Sequence, residues 1–484
     1  MPKSLIENAK YASWKESHTF DNCKLNRKDY GQFLANYLIG EKDGFVLNLN
    51  GSWGTGKTEF LKRFYVELMD RGHPTIYIDA WESDFTQEPL TVVASELLNQ
   101  LERLMDGTIS GGVITEVKGA LGKALKGTLV GLVGIASAKL LNDSAIGMEA
   151  VNKLLDEAPQ NITKQLAEDY QNQIEAIIKT RDALGNLAES LQTVNGSELP
   201  VMVLIDELDR CRPTYAIEML EVIKHFFSIK GFVFVIATDT DQLCHSIKSV
   251  YGDGFESLQY LKRFFNRRAG LPETNIESYI KSKEYDWELY SDLYLFPSIK
   301  DSETQIDIIE NNIFILSKAY NLKIRDIDQM IDKVHSCLRS AIAIQNTTKN
   351  KQIINIAALI IGLIEQDFHL PSFTKRHNYQ DDFTVPNDIF GISHDFHIDK
   401  YIELCMGSTT FKKVKINEHN DSDHEYRVPG AAYYRDYLSD NLSIELRGFT
   451  HSLSNHAQVQ NRDGIKYWLW SDMKKCIELA GNID

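Results

Sequence analysis

Cysteine is scarce and dispersed. Six residues in 484 (Cys23, Cys211, Cys244, Cys337, Cys405 and Cys476) form no CxxC pair and no Cys/His cluster. This fits reduced thiols in a cytosol better than a disulfide framework or a zinc site. Long apolar runs are also missing. The Ala- and Gly-rich run Gly127 to Ala138 has twelve charge-free residues bracketed by Lys123, Lys126 and Lys139, short of the roughly 18–20 that a spanning helix needs. Met1-Pro2-Lys3-Ser4 leads straight into polar sequence, so no secretory signal is expected. Basic charge is in deficit, with 52 Lys and Arg against 68 Asp and Glu and a formal charge of −16. That disfavours non-specific attachment to nucleic acid or an anionic membrane, although a local basic strip is compatible with it. Internal repeats and low-complexity tracts are absent.

What is present describes a folded chain. Apolar residues make up 43% and charged residues 25%, and the length implies two or three domains. Four apolar runs read as strands: Phe45–Leu49, Thr75–Asp79, Val201–Ile205 and Phe232–Ala237. The last two are continuous, as strands covered on both faces are. Helices are expected near Asp29–Leu38, over Lys57–Met69 and over Tyr215–Phe227. Strand, turn, helix, strand in this succession builds a parallel sheet. Further helices are expected over Ile306–Tyr320, Ile324–Ser336 and Ile353–Leu363.

The expected fold is α/β: a parallel sheet flanked by helices, with a helical insertion, a helical lid and a C-terminal region of unclear fold. Its parts are residues 1–87 (lead-in and first half of the core), 88–195 (insertion), 196–275 (second half of the core), 276–370 (lid) and 371–484. The Ala- and Gly-rich middle of the insertion, Gly119 to Leu141, reads as a closely packed helix, a membrane-surface hairpin or a self-association element. Its length favours the first.

Gly51-Ser52-Trp53-Gly54-Thr55-Gly56-Lys57-Thr58 matches GxxxxGK[ST] without exception, between an apolar strand and an amphipathic helix, where a phosphate-binding loop belongs. The glycines let several backbone N–H groups turn towards one anion. The helix start, running on into Glu59, adds its dipole. Lys57 is expected on the β- and γ-phosphates and the Thr58 hydroxyl on Mg²⁺.

Asp206-Glu207 end the third strand, at the sheet edge where such folds bind ligands. Asp206 is assigned to Mg²⁺ and Glu207 to orienting and deprotonating water. Asp209 is a weaker candidate for that carboxylate. Arg210 and Arg212 are surface charges or reach a neighbouring subunit's γ-phosphate. Thr238-Asp239 end the next strand, as a γ-phosphate sensor or as a solvated terminus.

Together these residues resemble the KAP family of P-loop ATPases, within the class that holds AAA+ and STAND proteins. The resemblance is carried by the loop with its Trp53, by Asp79-Ala80-Trp81, by Ile205-Asp206-Glu207-Leu208-Asp209-Arg210-Cys211 and by Ala237-Thr238-Asp239. Tyr260-Leu261-Lys262-Arg263-Phe264-Phe265 and Leu322-Lys323-Ile324-Arg325-Asp326-Ile327 also fit, so coverage runs from about Phe20 to about Leu363. The family's long insertion matches the 149 positions from Lys57 to Asp206. Many members carry transmembrane helices there, and the short apolar run here departs from that pattern.

The resemblance implies ATP and Mg²⁺ as ligands, with Lys262 or Arg263 near the nucleotide. It also implies Arg325 on the lid as a second-sensor arginine, against the alternative of a helix charge pairing with Asp328 or Asp332. Arg267 and Arg268 are candidate fingers acting in trans. The implied function is a cytoplasmic ATPase switch that self-associates and acts on a protein effector, in a bacterial defence-like system. Alternatives are a nucleotide-binding scaffold with little turnover, a nucleic-acid motor, or peripheral attachment to a membrane.

Histidines crowd the C-terminal part, including His369, His377, His394, His397, His419, His424, His451 and His456. Their spacing is not a tight metal signature and is read as loop chemistry. Trp468 and Trp470 alternate as a half-buried edge does.

Overall fold

A computed structural model describes residues 5–41, 44–86, 89–105, 178, 181–182, 184–193, 196–226, 229–272, 275–283, 285–299, 302–377, 398–412, 428–429 and 464–482. Gly119–Leu141 and the histidines from His394 to His456 lie outside them. The chain divides into two compact units, Met1–Glu273 and Thr274–Asp484.

In the first unit, β1 (Phe45–Asn50), β2 (Thr75–Asp79), β3 (Val201–Asp206), β4 (Phe232–Thr238) and β5 (Arg267–Gly270) make one sheet in the order β2-β3-β4-β1-β5. Every pairing is parallel. β3 and β4 are buried along their whole lengths, which is why their sequences are unbroken apolar runs. β4 lies between β1 and β3, so the strands ending in the glycine loop and the acidic pair stand two spacings apart, roughly 10 Å. Asp79 is in register with Asp206, and Asn50 with Thr238. The polar strand ends therefore line one edge of the sheet.

Helices α1 (Lys28–Ile39), α2 (Lys57–Asp70), α3 (Pro89–Leu104), α4 (Pro213–Phe226) and α5 (Thr240–Tyr251) surround the sheet. α2 packs on β2, β3 and β4, and α3 on β2 and α4. α2 buries Phe60, Leu61, Phe64, Tyr65, Leu68 and Met69 at helical spacing. Its register on the sheet fixes where Lys57 and Thr58 begin it.

In the second unit, α6 (Gln305–Ala319), α7 (Ile324–Thr348), α8 (Ile356–Asp367), α9 (Ile398–Gly407) and α10 (Trp470–Ala480) accompany a small sheet. That sheet comprises β6 (Tyr294–Phe296), β7 (Lys351–Asn355) and β8 (Ile465–Tyr467), parallel, with β7 in the centre. Residues on both sides of position 370 thus share one sheet.

Two helix readings need correction. The helix expected from Ile353 starts at Ile356, because Ile353 and Ile354 pair in β7. An apolar run has no period to separate strand from helix, and the change is marked by Asn355, whose side chain caps α8 through Ala358 N at 2.9 Å. α7 continues twelve residues beyond Ser336, to Thr348. Trp468 and Trp470 are core residues at 2% and 1% exposure, not a half-buried edge.

α8 is buried on all sides from Ile356 to Glu365. Its Glu365 carboxylate is met by Arg376, with Nε to Oε2 at 2.8 Å and Nη2 to Oε1 at 2.6 Å. Trp470 Nε1 donates to the carbonyl of Arg376 at 3.0 Å and so ties α10 to the same point. Among the described residues, no helix is long and apolar enough to cross a membrane.

Candidate nucleotide site

Gly54 and Gly56 take φ values of 76° and 81°, the left-handed region that side chains avoid. Gly56 sits at the N-cap of α2 and offers no capping side chain. The first N–H groups of the helix are thus left for a ligand. Lys57 is 8% exposed and donates through Nζ to Gly51 O at 2.7 Å. A side chain on Gly51 would meet Thr55 Oγ1 at 2.8 Å and Lys57 Cγ at 3.2 Å.

The loop rests on a residue that sequence reading passed over. Arg27, 3% exposed, precedes α1 and donates to Thr55 O at 2.8 Å and to Pro272 O at 3.1 Å. It ties the N-terminal segment, the loop and the chain after β5 together. Nothing in the local sequence marks it, since its partners lie 28 and 245 positions away.

The acidic pair meets the loop. Thr58 Oγ1 donates to Glu207 Oε1 at 3.0 Å. Asp206 is fully buried, and accepts from Tyr77 OH at 2.9 Å and from the Glu207 N–H at 2.9 Å. Burial, with a smaller contribution from the Glu207 charge, pushes Asp206 up to about 6, against the hydroxyls of Thr58 and Tyr77. The ligand-free folded chain therefore keeps a proton that the unfolded chain, at its ordinary 3.8, releases. The resulting stability is complete below pH 4 and is lost as pH rises through 6, a difference of about 3 kcal/mol. Asp206→Asn cannot ionise. Without nucleotide at pH 8 it is expected to resist denaturant better than the wild type by about 1–3 kcal/mol, an advantage that shrinks towards pH 4.

Asp209 is brought in as well. Its Oδ2 accepts from Trp53 Nε1 at 2.5 Å and lies 3.6 Å from Lys57 Nζ. Asp239 is buried at 7% exposure, which removes the solvated-terminus alternative. One oxygen accepts from Trp53 N at 3.0 Å and the other from Asp241 N and Gln242 N, capping α5. Both oxygens are thus engaged, one holding the loop and the other capping α5. The neighbouring Thr238 hydroxyl is buried and has no hydrogen-bond partner among the described residues.

The arginines divide. Arg212 is bound to Asp84 and Thr86 by its guanidinium and to Asp84 by its N–H, fixing the loop after β2. Arg210 Nη1 lies 2.7 Å from Glu207 Oε2 in its own chain. Glu59 engages Arg63 at 2.6 Å and is not drawn into the carboxylate group. Lys262, Arg263, Arg267 and Arg268 are exposed, the last two on edge strand β5 beside β1. Arg325 is exposed in the first turn of α7. Asp328, a proposed partner for it, is instead held by Tyr279 at 2.7 Å and Lys283 at 2.7 Å.

The KAP family P-loop domain matches residues 27–341. The chain belongs to this family. The KAP match begins at the buried Arg27 and ends inside α7, so it takes in the loop, the acidic strand end and Arg325. No curated protein matches the chain. Among solved structures it is similar to the Aeropyrum pernix ORC2 protein in its ADPNP–ADP complexes, at 13% identity and a TM-score of 0.27. That likeness covers 65% of this chain and 74% of the other, and is too slight to carry an argument.

Proposed function

We propose that this KAP protein is a Mg²⁺-dependent ATPase that works as a conformational switch. One observation carries the reading: Thr58 of the glycine loop lies 3.0 Å from Glu207 at the acidic strand end, beside buried Asp206. Among the described residues no three His, Cys, Asp or Glu side chains group as a metal site. A divalent cation here therefore depends on phosphate oxygens as well as protein. The donors on offer, a hydroxyl and carboxylate oxygens, suit hard Mg²⁺. Thr58 and Asp206 would hold it, Asp206 through water, and Mg²⁺ supplies neutralisation of charge on the phosphates.

The protein's own part follows from the contacts. The loop N–H groups and the start of α2 bind the phosphates. Lys57 leaves Gly51 O for the β- and γ-oxygens, the Thr238 hydroxyl donates to the γ-phosphate, and Glu207 accepts the proton of the attacking water. ATP is favoured by the family resemblance. Arg325 in the lid is assigned to the γ-phosphate, so that hydrolysis releases the lid. Cytoplasmic self-association and a protein effector within a bacterial defence-like system complete the reading.

Calorimetry with Mg·ATP tests the site. Wild type is expected to give saturable heat, and Lys57→Ala to bind about 10- to 100-fold more weakly, the loss of charge-assisted hydrogen bonds. Equal binding by the two proteins sinks the reading.

A further inference from the structure

Glu207 is more heavily restrained than an attacking-water base needs to be. Its Oε1 accepts from Thr58, and its Oε2 faces Arg210 Nη1 at 2.7 Å, an ion pair whose angle falls outside a regular hydrogen bond. Both oxygens are thereby engaged. The Glu207 backbone is left-handed, at φ 59° and ψ 23°, a conformation that costs a non-glycine residue about 1 kcal/mol or more. The next three residues form a single 3-10 turn, closed by Arg210 N to Glu207 O at 3.1 Å. That turn sets Arg210 beside the carboxylate.

The two restraints differ in what removes them. Under the ATPase reading, Thr58 would hold Mg²⁺ in the nucleotide-bound protein and leave Oε1. The ATPase reading gives Arg210 no nucleotide contact within its own chain. Its guanidinium instead lies 5.7 Å from the ring of Trp81, in cation–π range. Trp81 is 54% exposed, and its loop is fastened by Arg212 through Asp84 and Thr86. The same guanidinium therefore meets the base and lies in range of a surface-exposed aromatic ring.

We infer that Arg210 is a positioning residue that restrains turnover: paired with Glu207 Oε2, it holds the carboxylate away from the water and offsets its charge beside the γ-phosphate. Leaving the Trp81 platform releases the base. The inference rests on the ATPase reading and adds regulation to that site. It also gives Arg210 a task within its own chain.

The test uses full-length protein, steady-state phosphate release, and ATP and ADP affinities. Arg210→Gln is expected to raise kcat about fivefold and to weaken ATP binding by a similar factor, with ADP affinity unchanged, because an uncompensated Glu207 then faces the γ-phosphate. Trp81→Ala moves both quantities the same way by less, and Arg210→Lys restores them towards wild type. In a Glu207→Gln background, Arg210→Gln no longer alters the ATP-to-ADP affinity ratio. A merely structural arginine gives neither the joint rise of kcat and KM nor its cancellation. A silent wild type with an active Arg210→Gln supports the restraint. A kcat that is unchanged or lower in Arg210→Gln overturns it and leaves the ATPase reading intact. Absence of Lys57-dependent nucleotide binding in wild type overturns the ATPase reading, and the restraint falls with it.

Discussion

Glu207→Gln is expected to lower phosphate release about 10²- to 10⁴-fold, the range a positioned general base contributes, while Mg·ATP affinity stays within a few-fold of wild type. The two halves of that expectation have different origins in the structure. Binding depends on the glycine loop, the first N–H groups of α2 and Lys57, none of which needs the Glu207 charge. The amide also keeps an oxygen that can accept from Thr58 Oγ1, now at 3.0 Å, so the junction of loop and strand end survives. Only the capacity to take a proton is removed. Steady-state phosphate release alongside calorimetry separates the two. Release equal to wild type transfers the role to another carboxylate, and Asp209 is then the next to replace. It is 6% exposed and 3.6 Å from Lys57.

Arg376→Met is expected to destabilise the second unit by about 3–5 kcal/mol, because Glu365 is left as an uncompensated charge in the core. Both side chains of the pair are essentially solvent-free, at 2% and 0% exposure. Replacing both, as Arg376→Met with Glu365→Leu, is expected to recover most of the loss. Apolar groups of similar volume need no charge partner, and buried pairs rarely outperform them. Denaturant titration of the single and double variants decides the matter through their coupling. A single variant with an unchanged midpoint shows that the pair is not buried in solution.

How far the sequence could be read depended on the range of the forces involved. The glycine loop, the four apolar strands and the helix starting at Lys57 were legible because each is set by neighbours within a few positions. The convergence of Thr58 and Glu207 was inferred from chemistry, across 149 positions. Arg27, the Trp53–Asp209 bond and the Tyr77–Asp206 bond carry no such signature. An arginine or tyrosine becomes a support only when a distant backbone carbonyl or carboxylate folds against it. Asp239 shows the converse case. Its place at the end of β4 was readable, but its work in capping α5 and holding Trp53 N depends on which donors surround it. Ile353 and Ile354 were misread because a run buried on every side has no polar face to set its period.

The second unit's small sheet governs the order in which the chain can mature. Its central strand, β7, is flanked by β6 and by β8, drawn from residues 294–296 and 465–467. The described strands of the first unit's sheet are all in hand once residue 270 has been synthesised. The second lacks one flank, and Trp470 with it, until residues 465–470 are made. At about 5–20 residues per second, the roughly 110 positions between the end of β7 and the start of β8 take on the order of 5–20 s. Through that interval an unpaired side of β7 stays open to other chains, and a nascent polypeptide stalled before residue 465 would carry a finished nucleotide fold on an unfinished neighbour.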